Sequence, residues 1–264
     1  MARRFENQVV WITGGGSGIG RALALAFADE GAAVAVSGRR EERLQEVVQA
    51  LEERGARGLA VRCDVTDEAS VAEAVQKVVR TLGGLDVAVA NAGFSVAGRI
   101  EKLSAADWRR QLDVNVIGVA MTARYAIPHL RKSKGRLGIV GSVVSMVATP
   151  GLGAYAASKY AVRAMGQALA AELHGSGVSC TLLHPGFIES EIAQVDNQGR
   201  FDGTREDKRP KNLLWPADRA SRSIVGGFAR RKRELVFTGH GYVGAFAGRH
   251  MPWLIHFGVT LGRK

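Results

Sequence analysis

Tyr155-Ala-Ala-Ser-Lys159 places a phenol and an ammonium four residues apart, on one face of a helix. A free tyrosine ionises near ~10, too high for efficient proton exchange at neutral pH. A fixed ammonium close by stabilises the phenolate and lowers that value. The pair is a candidate acid/base unit, although the same spacing also describes a surface pair. A second kind of chemistry is offered by Thr13-Gly-Gly-Gly-Ser-Gly-Ile-Gly20. Glycines between a strand and a helix let the backbone approach a pyrophosphate at the helix N-terminus. The spacing Gly14-x-x-x-Gly18-x-Gly20, enclosing Gly16, Ser17 and Ile19, lacks the lysine that a nucleoside triphosphatase loop requires. A dinucleotide remains. About 20 residues on, an acid would bind a ribose 2′-hydroxyl and an arginine would accept a 2′-phosphate. The sequence there reads Ser37-Gly38-Arg39-Arg40-Glu41, which favours NADP(H) over NAD(H).

These groups need a scaffold, and the chain alternates short β-branched runs with longer helical patterns. Strands are expected at 9–13, 33–37, 59–62, 85–90, 136–140, 178–183 and 235–238. Helices are expected at 20–30, 41–53, 67–82 with Thr66 as a possible cap, 155–174 and 216–230. Residues 104–130 read as one long helix or a helix pair ending near Pro128. Strands apolar throughout argue for a parallel sheet covered on both faces. The expected fold is α/β: a single doubly wound Rossmann-type domain with a mostly parallel seven-stranded sheet. Residues 187–215 are polar and without period, and read as a lid following a strand end, where such sheets bind ligands.

Composition sets bounds. Of 264 residues, 46% are hydrophobic and 23% charged, as in packed soluble proteins, which excludes a fibrous or largely disordered chain. Two cysteines, Cys63 and Cys180, supply neither a disulfide framework nor a cysteine zinc site, and read as buried thiols. The six histidines show no metal-binding spacing, so no metal is expected. His184 reads as a packed loop histidine. The formal charge of +11 favours anionic partners such as phosphate-bearing small molecules. The basic run Arg230-Arg-Lys-Arg233 reads as a solvated helix end, not a nucleic-acid contact. The apolar stretch near residues 9–12 is too short for a signal-peptide core, and no run reaches a membrane span, so cytoplasm is expected.

Thr13-Gly-x-x-x-Gly18-x-Gly20, Asn91-Ala-Gly93, Asn115, Ser142 thirteen residues before Tyr155, Lys159 and Pro185-Gly186 come in one order and spacing. In this the chain resembles the short-chain dehydrogenase/reductase family over roughly residues 5 to 240. The resemblance implies a carbonyl/alcohol oxidoreductase with Tyr155 as proton donor and acceptor. Lys159 would bind the nicotinamide ribose and depress the tyrosine pKa. Ser142 would hold the substrate carbonyl, and Asn115 would order a water that links Lys159 to solvent. Asp64 and Val65 would flank the adenine, and Asn91, Ala92 and Gly93 would sit beside the cofactor. Pro185, Gly186, Ile188 and Ser190 would border the nicotinamide. The alternative on the same fold is a catalytically idle NADP(H)-binding regulatory protein.

The resemblance also implies a homodimer or homotetramer built on the helices at 104–130 and 155–174. The tail after residue 240 is expected to pack over the cleft or an interface. A membrane contact by its aromatic and basic residues is the less favoured reading.

Overall fold

The computed structural model describes residues 3–261. Its centre is a seven-stranded sheet in the order β3-β2-β1-β4-β5-β6-β7, with every neighbouring pair parallel. The strands are β1 (Val9–Thr13), β2 (Ala33–Gly38), β3 (Gly58–Arg62), β4 (Val87–Ala90), β5 (Arg136–Val140), β6 (Ser179–His184) and β7 (Glu234–Val236). β1 and β4 are buried along their whole length because helices cover both faces.

One face carries α1 (Gly18–Asp29), α2 (Glu41–Glu52) and α7 (Ala217–Ala229), packed around Leu23, Phe27, Leu44, Leu51 and Phe228. Phe228 presses on β5 at Gly138, where a Cβ would strike its ring. The other face carries α3 (Glu68–Leu82), α5 (Gly118–Ser133) and α6 (Gly153–Glu172), around Trp11, Val75, Leu130, Leu137 and Val162. Trp11 is fully buried, and its indole N–H finds the Ser37 hydroxyl at 3.0 Å. The strand order reverses between β1 and β4, which opens a crevice at their carboxyl ends.

Several local expectations are corrected. Asp67, not Thr66, caps α3, accepting from the Ala69 and Ser70 N–H groups, while the Thr66 hydroxyl turns back to Asp64 at 2.8 Å. Residues 104–130 resolve into α4 (Ala105–Leu112) and α5, joined by a π turn at Asp113–Ile117. Pro128 does not end α5, which runs on to Ser133. Pro128 and Arg124 both lie on the exposed side, so the carbonyl that the missing N–H leaves free meets water. Residues 187–215 are organised: a bridge between Ile188 and Trp215 draws the ends together, and another joins Val195 to Phe201. The tail folds as α8 (Gly239–His250) and α9 (Pro252–Leu261), broken at Met251-Pro252.

Candidate active site

The crevice at the β1/β4 switch opens into a cleft of about 670 Å³. Its floor is the glycine turn. Gly14 has φ of 64° and its Cβ position lies 2.8 Å from the Ala92 Cα, so turn and β4 end are in backbone contact. A Cβ on Gly20 would strike the Gly14 carbonyl oxygen, which explains that glycine without any ligand. The Asn91 amide donates to the Thr13 and Gly14 carbonyl oxygens at 2.8 and 3.1 Å. The Thr13 hydroxyl accepts from the Asn91 and Ala92 N–H groups. Thr13, which the sequence reading left without a role, thus locks the turn to β4. Ser17 stands at the N-cap of α1 without making a side-chain cap bond, so the leading N–H groups of α1 keep capacity for an anion.

Gly14, Gly16, Ser17, Gly18, Ile19, Gly20, Asp64, Val65, Asn91, Ala92, Gly93, Pro185 and Ser190 line this cleft. So do Tyr155 and Lys159 at one end and Arg39 and Arg40 at the other. Gly186 and Ile188 stand behind it. A Cβ on Gly186 would strike the His240 imidazole, and Ile188, near the start of the lid, is buried in the core. Arg43 joins the arginine pair, a residue that strand-end reasoning missed because it lies on the first turn of α2.

The lid is clasped at three points. Arg39 donates to the Gly199 carbonyl at 3.1 Å, and Arg40 pairs with Glu191 at 2.8 Å while reaching the Ser17 hydroxyl. Arg209 pairs with Asp207 and donates to the Ile188 and Ser190 carbonyl oxygens at 2.8 and 3.1 Å. Arg209 sat unremarked in a segment without period, where no pattern could single it out.

At the inner end, α6 presents Tyr155 and Lys159 on one face. The Lys159 ammonium is buried, donates to the Val140 carbonyl at 2.8 Å and lies 5.7 Å from the Tyr155 ring centroid. Burial takes its pKa down to about 8. Burial also pushes the Tyr155 phenol above its ordinary value, opposed by the nearby Ser142 hydroxyl and by the positive charge of Arg209. Ser142 is buried at the end of β5, its Oγ accepting from the Val144 N–H at 3.2 Å. Asn115 sits in the π turn, a local geometry frequent at functional positions. Its side chain is spent on the Phe94 backbone and the Ser158 hydroxyl. A water held by Asn115 would therefore rest chiefly on its main-chain carbonyl.

His184 is fully buried at the end of β6, with Nδ1 3.2 Å from the Ser142 carbonyl oxygen and Nε2 2.8 Å from Glu234. Burial lowers its pKa, with the bond to Ser142 and the charge of Glu234 pulling the other way. It packs behind the serine, away from the cleft lining. Cys63 and Cys180 are buried free thiols, held up at about 11 and about 12 by desolvation.

A phenol, a serine hydroxyl and an ammonium gathered at the end of a glycine-floored cleft can give a proton to a carbonyl oxygen and steady its charge. Comparison with known proteins agrees with that chemistry. A family model described as short chain dehydrogenase matches residues 8–200. A 3beta-hydroxysteroid dehydrogenase of Mediterraneibacter gnavus is 35% identical over 192 residues, covering 72% of this chain and 70% of that protein. A short chain dehydrogenase/reductase from Burkholderia phymatum, solved in complex with NAD, superposes with a TM-score of 0.85 at 26% identity, covering 95% of this chain and 96% of the other. An alcohol dehydrogenase from the archaeon Thermococcus sibiricus, complexed with 5-hydroxy-NADP, gives 0.76 at 28% identity, covering 88% and 96%. The chain is an oxidoreductase and belongs to the short-chain dehydrogenase/reductase family.

Proposed function

We propose that the protein moves hydride between NADP(H) and a carbonyl/secondary alcohol pair, with Tyr155 as general acid and base. The observation that carries this reading is Lys159: a buried ammonium with, among the described residues, one protein hydrogen bond out of three possible, at the cleft end that Tyr155 shares. Its spare donors suit ribose hydroxyls. The opposite end offers Arg39, Arg40 and Arg43, a cluster suited to a 2′-phosphate. The glycine floor and the uncapped start of α1 suit the pyrophosphate between them.

The residues therefore fit a dinucleotide, which when bound supplies or takes the hydride. The chain's part is to hold and move the proton. In reduction Tyr155 gives its proton to the carbonyl oxygen, and Ser142 donates a hydrogen bond to that oxygen as charge builds. Lys159 favours the phenolate that remains. Asn115 anchors the π turn beside Ser158, and a water on its carbonyl would return the proton from solvent through Lys159. Relatives named for a hydroxysteroid and for a butanediol support a secondary alcohol as the substrate class. The buried free thiols suit a reducing compartment such as cytoplasm.

The test is a screen of carbonyls and alcohols that follows absorbance of the reduced nicotinamide. NADPH should support faster turnover than NADH. Tight NADPH binding without turnover of any carbonyl would point instead to a regulatory nucleotide binder.

A further inference from the structure

Helix α8 wears its large side chains on the outside. Its inner stripe is Gly241, Gly244, Ala245 and Gly248, set against the segment that follows Ser142. Cβ atoms on Gly241 and Gly244 would lie 3.2 and 3.3 Å from the Val143 methyls, and one on Gly248 would strike the Met146 carbonyl oxygen. Only small residues let the helix dock so closely. The bulky residues point to solvent: Tyr242 is 57% exposed, Val243 71% and Phe246 60%. Helix α9 continues the display with Trp253 at 67%, Leu254 at 40% and Phe257 at 56%. Phe187, at the start of the lid, stacks on His240 at a centroid distance of 5.3 Å and extends the patch toward the cleft mouth. A monomer rarely exposes an apolar area this continuous unless something covers it.

Charge indicates what covers it. Residues 239–264 contain no aspartate or glutamate, and they hold Arg249, Arg263, Lys264 and three of the six histidines. Arg249 pairs with Glu234, which sets the end of α8 beside the run Arg230-Arg-Lys-Arg233. Arg231 is engaged by the Lys134 and Gly177 carbonyls, whereas Lys232 and Arg233 are exposed. A second copy of this chain, itself at +11, would bring cations against cations along a tail without acidic residues. An anionic bilayer answers both features: its headgroups attract the cations, and its acyl boundary takes Phe246, Leu254 and Phe257. Tyr242 and Trp253 have an apolar body and a polar tip, the form that lodges at a membrane interface. Helix α9 is 10 residues long, and among the described residues no helix is long and apolar enough to cross a membrane. We propose that the exposed face of α8 and α9 docks the protein peripherally on bilayers containing anionic phospholipid.

The experiment is co-sedimentation of the full chain with vesicles of phosphatidylcholine alone or with about a third phosphatidylglycerol. The anionic vesicles should carry the protein down, about 1 M salt should release it, and phosphatidylcholine should retain little. Trp253 emission should shift to shorter wavelength on the anionic vesicles, a change absent from Trp253→Ser. The double variant Phe246→Ser/Trp253→Ser, altered only at exposed positions, should keep its circular dichroism and melting temperature and lose about tenfold in bound fraction. Lys232→Glu/Arg233→Glu should weaken binding to anionic vesicles and leave the residual binding to phosphatidylcholine unchanged. Failure to sediment with anionic vesicles at low salt would overturn the proposal, as would binding that the double variant leaves intact. A dimer that the double variant dissociates, without vesicle binding, would assign the face to a second copy instead.

Discussion

At the residue scale the proposed chemistry turns on a phenol that is hard to ionise beside an ammonium that is hard to keep charged. Burial raises the phenol of Tyr155 and lowers the ammonium of Lys159, so each group is destabilised in its ionic form where it must work. Tyr155→Phe removes only an oxygen, so the variant should fold and bind NADPH while turnover falls by about 10²–10⁴, the usual loss of a general acid. Near-normal turnover on an accepted carbonyl would refute the assignment. Lys159 adds a stability signature. Its folded pKa is about 8 against the ordinary 10.5. Below about 8 both states hold the proton and the cost of burying the charge is fully present. Between about 8 and 10.5 the unfolded chain binds the proton more strongly, so stability rises with pH. Lys159→Met lacks this slope. Across that window the native chain should gain up to about 3 kcal/mol relative to the variant, read from denaturant melts without cofactor. Parallel pH profiles would contradict the shift. Tyr155, Lys159 and the glycine turn were legible because spacing along one helix or one turn is a local property. Arg209 and Thr13 were not, because their partners lie far along the chain at Ile188, Ser190, Asn91 and Ala92.

At the element scale, the sheet was readable because each strand buried on both faces is an unbroken apolar run, and the glycine after β1 marks where the chain turns. Elements set by competition between neighbours were harder to read. Asp67 outcompetes Thr66 for the α3 cap because its carboxylate reaches two N–H groups and the threonine hydroxyl finds Asp64. The pattern of α8 was obscured because glycine, not a bulky residue, forms its packed stripe. The lid shows how an aperiodic segment acquires order from arginine–carbonyl bonds. Its closing bonds are the Glu189 N–H to the Trp215 carbonyl and the Trp215 N–H to the Phe187 carbonyl, each 3.0 Å. Arg209 supports them through Ile188 and Ser190. Arg209→Gln should speed amide exchange at Glu189 and Trp215 while leaving the strands unchanged, as local opening rather than global unfolding requires. NADPH should slow exchange across 187–215 in the native chain. A lid whose exchange ignores both the substitution and the cofactor would speak against the clasp.

At the scale of the whole molecule, the outer face of α6 is the surface on which the expected self-association is tested. On the outer face of α6, Ala164, Ala168 and Ala171 are exposed, with Tyr160 beside them at 43%. Alanines spaced along a helix permit close approach of another helix, and methyls left in water gain by burial. The site itself stands on this helix: Tyr155 and Lys159 lie on its inner side, so a partner pressed on the outer side would stiffen the element that aims them. This face carries Glu172 near its end, unlike the acid-free tail. The expected self-association through α5 and α6 is therefore separable by experiment from the proposed lipid docking through α8 and α9. The expected state is a homodimer or homotetramer by light scattering at micromolar concentration. Ala168→Glu places a charge on the closest-approach stripe, where a two-fold contact would bring two such charges together. It should yield monomers of lower melting temperature that still sediment with anionic vesicles. A monomeric native chain, or an oligomer indifferent to Ala168→Glu, would remove α6 from the interface.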